Sequence, residues 1–263
     1  MNYGVVYKFK PHNKINGTLF YCFEYFKFLR KYIDVKFYVV GINEKDLKLV
    51  TDILTTKYNT LVDNIIPITL TELYKIQLDR TLILDVNTFY DCKEFLSNEI
   101  HCFSNDTHEM FRYKNDRTVT YYGLYPYQRY DVECILKLNF ELFPPLEQQG
   151  DSVFISALDQ KYIRVHINRW KEQFDCPLIV KKSHSGVGNL FEHISAVHYV
   201  HTERDTNNRI IPEAFFYGKT VTLEEPYNLA PDSIRFRYDD IVANGLSNYT
   251  LTENCPMVQA CLK

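Results

Sequence analysis

The segment Asp205-Thr206-Asn207-Asn208-Arg209-Ile210-Ile211-Pro212-Glu213-Ala214-Phe215-Phe216-Tyr217-Gly218-Lys219-Thr220-Val221 carries the pattern that decides the fold. An acid, Asp205, stands eight positions before Glu213-Ala214, which open an apolar, aromatic helix. The helix stops at Gly218, ahead of the β-prone pair Thr220-Val221. A helix start of this kind offers unpaired backbone N–H groups and a positive dipole end, which favour an anion such as a diphosphate. The adjacent carboxylate can accept hydrogen bonds from ribose hydroxyls. A purely structural alternative needs only a helix that starts after Pro212 and packs Ala214, Phe215 and Phe216 on a sheet, with Asp205 in a loop.

Outward from this segment, strand and helix patterns alternate. Tyr3, Val5, Val6, Tyr7 and Phe9 read as a strand, residues 11–18 as a loop and Leu19 to Lys31 as a helix. Val35 to Val40 is a second strand and Lys45 to Tyr58 a helix; a third strand over Asn64 to Ile68 and a short helix over Thr71 to Leu78 follow. Thr81 to Leu84 and Glu99 to Phe103 are short apolar strands that each end in polar residues. After a Pro-containing connection, Phe143 to Asp151, the pattern resumes: strand Ser152 to Ala157, helix Lys161 to Phe174, strand Pro177 to Lys181. A Gly-containing turn at Ser185 to Leu190, a strand at Ala196 to Val200, the opening segment and a strand at Thr220 to Glu224 complete a second, shorter unit. Helices are expected around Tyr238 to Ala243 and Met257 to Leu262. The alternation predicts an α/β protein with parallel sheets, whose ligands bind at the carboxyl ends of the strands.

Composition limits the alternatives. A chain of 263 residues, 46% hydrophobic, can bury a sizeable core. Its formal charge of −3 excludes a uniformly basic surface, so any contact with nucleic acid must come from a local patch. The seven cysteines are odd in number and irregular in spacing, which argues against a disulfide framework or a zinc site and for a reducing cytoplasm. No metal ligand cluster is expected. No leader pattern or membrane-spanning stretch is apparent.

The Asp205 to Val221 segment resembles the nucleotide-sugar site of glycosyltransferases of the GT-B fold: Glu, seven residues, Glu-Ala, a short helix, Gly, then Pro-Val. Here Asp205 replaces the first Glu and Thr220 the Pro. The resemblance implies two Rossmann-like domains facing a cleft, with C-terminal helices crossing back to the first. The expected boundaries are 1–145 for an acceptor domain, 146–232 for a donor domain and 233–263 for the helical tail. It implies a UDP-sugar as co-substrate and no further cofactor. On the donor side, Glu213 would hold the ribose, Arg209 the diphosphate, and Asp205 and Asn208 the transferred sugar or the loop. Lys161 matches a phosphate-binding Lys at the start of the second domain; the family's upstream Arg is missing, and Arg164, a turn later, is the substitute. Lys181 ends the next strand, and Gly186 and Gly188 lie where backbone approaches the donor, although a lone Gly-x-Gly is a weak motif.

On the acceptor side the candidates are thinner. Gly17 and Thr18 fall where the family carries small residues that admit the sugar, and His12, Asn13 and Lys14 share that loop, with His12 a candidate base. Asp85 and Asp106 follow short apolar strands and are better candidates for deprotonating the acceptor; Asp106 could equally cap a helix. Arg112 and Arg117, with Tyr121, Tyr122, Tyr125 and Tyr127, interleave basic and aromatic side chains as a nucleic-acid surface does. The stretch Asn207 to Lys219 is similar to that of small bacteriophage glycosyltransferases that modify hydroxymethylated bases in DNA, which implies double-stranded DNA as partner, a flipped base and the host cytoplasm. Two alternatives stay open: a GT-B enzyme with a saccharide, lipid-linked or protein acceptor, and a noncatalytic nucleotide-sugar-binding protein. The helix Leu19 to Lys31, with Phe20, Phe23, Phe26 and Phe28 beside Lys27 and Arg30, is the one candidate membrane-surface patch. Sugar, stereochemistry and oligomeric state are not legible.

Overall fold

The structure is a computed structural model that describes residues 2–11, 17–96, 99–103, 118–123, 131–157, 160–181, 189–200, 208–224 and 233–263. The chain is an α/β protein with two parallel sheets and a C-terminal helix, divided into two compact units. Unit 1 comprises Met1–Phe143 and Tyr249–Lys263; unit 2 comprises Pro144–Asn248.

The sheet of unit 1 is built from β1 (Tyr3–Lys8), β2 (Val35–Val40), β3 (Ile65–Ile68), β4 (Arg80–Ile83), β5 (Glu99–Phe103), β6 (Val119–Gly123) and β7 (Val132–Glu133). Its order is β3-β2-β1-β4-β5-β6-β7, parallel throughout. The chain therefore winds outward from β1 in one direction and from β4 in the other, which places a topological switch between β1 and β4. One face packs Val6, Tyr38, Val40, Ile83, Cys102 and Tyr121 beneath Leu73 and Phe89, supplied by α3 (Leu70–Ile76) and α4 (Val86–Cys92).

Helix α1 (Gly17–Leu29) packs on β1 and β2 and against α8 (Pro256–Leu262). Its residues from Leu19 to Phe26 are all buried, as are Phe28 and Leu29. A helix apolar on every side belongs inside a protein. The phenylalanines once available for a membrane surface are therefore core residues. Lys27 and Arg30 instead pair with Asp63 at the next helix's end, beyond α2 (Glu44–Tyr58). Glu24 is fully buried on α1, where the Tyr58 hydroxyl and the Asn139 main-chain N–H donate to its carboxylate. No helix among the described residues is long and apolar enough to cross a membrane.

Unit 2 carries β8 (Ser152–Ala157), β9 (Leu178–Lys181), β10 (Ile194–Val200) and β11 (Thr220–Glu224), with α5 (Gln160–Gln173), α6 (Ile210–Phe216) and α7 (Ser233–Asn244). The order β11-β10-β8-β9 is again parallel, with its switch between β8 and β10. Its core sets Val153, Ile155 and Val200 against Ile163 and Trp170 of α5. Gly150 enters β8 so close to His193 that a Cβ would lie 2.1 Å from the His193 carbonyl carbon, which explains a glycine there.

Two elements depart from the sequence expectation. Helix α6 starts at Ile210, ahead of Pro212; a proline fits the first turn because its missing N–H has no partner there in any helix. Asp85 to Thr88 are the cap and first turn of α4 rather than the polar end of a strand. A seven-residue helix repeats its apolar face too few times to be seen against an adjoining strand.

Candidate functional site

In unit 2 the carboxyl ends of β8 and β10 lie side by side, because these strands are adjacent and parallel. The helices that follow these two strands in the chain are α5 and α6, and the edge between the strands is the switch point of the sheet. On the α6 side Arg209 and Glu213 form a buried ion pair one helical turn apart. Arg209 Nε and Nη2 both lie 2.9 Å from Glu213 Oε1, and their side chains are 2% and 0% exposed. Asn208 Oδ1 accepts the Ile211 N–H at 3.1 Å, and the Asn208 carbonyl accepts from Arg237 Nη1 at 3.0 Å. Arg237 is itself fully buried and comes from α7, 29 residues later in sequence.

The helix closes as its sequence predicts. Gly218 has φ 65°, the left-handed geometry that favours glycine, and the Lys219 N–H returns to the Ala214 carbonyl. The Tyr217 ring packs tilted against Phe191, and its hydroxyl donates to the Pro144 carbonyl. Burial, then the nearby carboxylates of Glu213 and Glu192, push the Tyr217 phenol above its ordinary range. Glu213 thus sits in a dry, tightly partnered environment.

Lys161 and Arg164 are exposed in the first turns of α5, on the same sheet edge. Asp205, Gly186 and Gly188 lie outside the described residues, and Lys181 is described only as the last residue of β9. In unit 1, Gly17 and Thr18 are the first residues of α1 and lead away from the carboxyl end of β1. Asp85 stands at the carboxyl end of β4, the other side of the switch. Its Oδ1 accepts the Thr88 N–H at 2.8 Å and its Oδ2 the Thr88 hydroxyl at 2.6 Å. The Thr88 oxygen in turn accepts the Lys8 N–H at the end of β1, at 3.0 Å. This chain of bonds ties the two strands of the switch together. Burial raises the Asp85 carboxyl above its ordinary value, opposed by the Thr88 bonds and the charge of Lys10. His12, Asn13, Lys14, Asp106, Arg112 and Arg117 lie outside the described residues. Tyr121 and Tyr122, read from sequence as part of a stacking surface, are each 3% exposed in β6 and belong to the core.

A raised carboxyl pKa disfavours the charged form in the folded state, so its stabilising contribution is present at acid pH and fades as pH rises above the unfolded value. Asp85→Asn, which keeps an oxygen for the helix cap, is therefore expected to be at least as stable as the parent at pH 7 and to gain less from acidification toward pH 4. Urea titrations at the two pH values check this. A variant that is much weaker at pH 7 would mean that the ionised carboxylate itself supports the fold.

Sequence reasoning missed two groups in unit 2. Arg237 carries no local signal, since its partner is set by how α7 lies on α6. The other is a network at the end of β11, where Glu224 accepts from Tyr162 at 2.7 Å, Trp170 Nε1 at 3.0 Å and His198 Nε2 at 2.8 Å, and pairs with Arg169. His198 Nδ1 meets the Thr222 hydroxyl at 2.8 Å. Among the described residues, no three His, Cys, Asp or Glu side chains converge as a metal ion would require. Comparison with known protein families and with curated proteins gives no match.

Proposed function

We propose that this chain is a nucleotide-sugar-dependent glycosyltransferase of the GT-B type, taking a UDP-sugar as donor and a hydroxymethylated base in DNA as acceptor. The observation that carries the donor assignment is the buried Arg209–Glu213 pair at the switch-point edge of the unit 2 sheet. Replacing a buried ion pair by apolar residues of similar volume is often neutral or stabilising by about 1–4 kcal/mol, so a pair kept at this place points to a role besides packing. Parallel α/β sheets bind nucleotides at this edge. The pair also falls on the residues through which the chain resembles the donor site of GT-B enzymes. In this assignment Glu213 orients Arg209 and serves the ribose, Arg209 and Lys161 face the diphosphate, and Asp205 and Asn208 order the loop against the sugar.

Transfer requires an acceptor hydroxyl to attack the anomeric carbon while the diphosphate departs. Cationic side chains stabilise the leaving group, and in an inverting reaction a carboxylate such as Asp106 or Asp85 removes the acceptor proton. The DNA acceptor rests on the resemblance to bacteriophage enzymes, and such a base must leave the duplex to be reached.

Calorimetric titration with UDP tests the donor half. The same protein is then given UDP-glucose, UDP-arabinose and related donors with duplex DNA containing hydroxymethylcytosine, and the nucleosides are weighed. UDP binding with a nucleoside gaining one sugar is the expected result. UDP binding without transfer redirects the acceptor to a saccharide, lipid or protein, or leaves a noncatalytic binder. Absence of UDP binding overturns the assignment.

A further inference from the structure

The sheet of unit 1 carries, beside its switch point, two lysines to which the proposed transfer reaction gives no part. Lys8 ends β1, and the Phe9 N–H bonds the Val40 carbonyl, so the chain keeps its strand course past that end. Alternation then puts Phe9, 2% exposed, on one side and Lys8 and Lys10 on the other. That side continues the row of Val6, the face covered by α3 and α4. The charge of Lys8 reaches Cys92 and that of Lys10 reaches Asp85, so both ammonium groups lie beside α4.

Lys8 is half-buried and held close to the backbone of the neighbouring strand. Gly41, directly after β2, is exposed and has φ 74°, and a Cβ there would lie 2.7 Å from Lys8 Nζ and 3.7 Å from its Cε. The ammonium therefore occupies the space over Gly41 at the carboxyl edge of the sheet. Among the described residues no carboxylate or hydrogen-bond acceptor meets it. Lys10 has a loose pair with Asp91, at 4.0 Å and with side chains 40% and 43% exposed, a contact worth little. Asp85, at the end of β4, is turned to α4 instead, where the Thr88 N–H and hydroxyl both donate to it. Holding a half-buried ammonium without a counter-ion costs free energy, and an anion that brings the missing charge recovers it.

We propose that Lys8 and Lys10 form an anion site at the carboxyl end of β1 that takes a phosphate group, that of a free phosphate compound or that of a DNA strand. Parallel α/β sheets bind ligands beyond the carboxyl ends of their strands, at the switch point. Two lysines suit a phosphate, whose oxygens accept from point charges arriving at different angles. The N–H groups of Asn87 and Thr88 at the start of α4 are taken by Asp85. The lysines, and not that helix start, therefore supply the attraction. Gly41 serves the site by leaving its side-chain space to Lys8 Nζ. The site belongs to unit 1 and does not depend on the donor assigned to unit 2.

The test uses the full-length protein, acetic anhydride and peptide mass mapping, which give an acetylation rate for each lysine. Rates are taken with inorganic phosphate, with an unmodified DNA duplex and with sodium chloride at equal ionic strength, and the exposed Lys48 of α2 is the reference. Neither probe carries uridine or a sugar, so the result is separate from that of the UDP titration. Lys8 and Lys10 are expected to be slowed relative to Lys48. Slowing by phosphate assigns the site to free phosphate compounds, and slowing by the duplex alone assigns it to a DNA strand. Lys8→Met, which keeps the apolar stem, is expected to weaken binding of the protecting probe roughly tenfold or more, and Lys8→Arg to keep most of it. If neither probe slows Lys8 relative to Lys48, or if chloride slows it equally, the proposal fails. The rates in the wild-type protein suffice if a variant does not fold.

Discussion

Glu213→Ala is expected to destabilise unit 2 by about 3–5 kcal/mol, because it leaves the Arg209 guanidinium buried without its carboxylate. The chain has a single tryptophan, Trp170, fully buried in the unit 2 core, so urea unfolding followed by its fluorescence reads this unit directly. The double variant Arg209→Met with Glu213→Ala removes both charges and is expected to recover at least half of the loss. That variant separates structure from function. If stability returns while UDP binding does not, the pair serves the ligand; if both return, it serves only the fold and the donor assignment falls. A Glu213→Ala cost below about 1 kcal/mol would mean that water reaches the pair.

The second large effect is expected at Glu224. Glu224→Ala takes an acceptor from Trp170, Tyr162 and His198 at once, and a cost of about 3 kcal/mol is expected, with a shift in the Trp170 emission. The charge has its own signature. Burial works against ionisation of Glu224, but hydrogen bonds from Tyr162, Trp170, His198 and Arg169 outweigh it and hold the carboxyl at about 2, below its ordinary 4.5. A depressed carboxyl contributes stability above its unfolded pKa and loses it as pH falls through the folded one. Unit 2 should therefore weaken between pH 4.5 and 2, by about 2 kcal/mol after allowance for partial exposure. Glu224→Gln should lack this part of the acid transition. An unchanged acid profile in Glu224→Gln would show that another carboxylate dominates it.

The donor candidates were legible because the features that mark them are close in sequence. Arg209 and Glu213 are four residues apart, so a helix alone brings them together, and Gly218 announces where that helix ends. Asn208 was also named as a candidate, and its observed bonds cap α6 and anchor Arg237. The acceptor candidates were harder: a lone Asp after a short strand reads equally as a base or a cap, and Asp85 has the geometry of a cap at a switch point. Which role dominates is a matter of what else reaches that edge, and local pattern carries no information on it.

Sequence by itself determined the α/β class, the parallel strands β1 to β5 and β8 to β11, and the helix–glycine–strand run through α6. Side-chain alternation and helical periodicity are set by the backbone within a few residues, so they survive in a one-dimensional reading. Tertiary structure alone decided that α1 is buried on every side, that Tyr249–Lys263 joins unit 1 while α7 joins unit 2, and that Arg237 meets Asn208 and Glu224 meets His198. These partners are fixed by strand order and by which helix covers which face. Such choices depend on burying apolar surface over the whole chain, so no short window of residues can encode them.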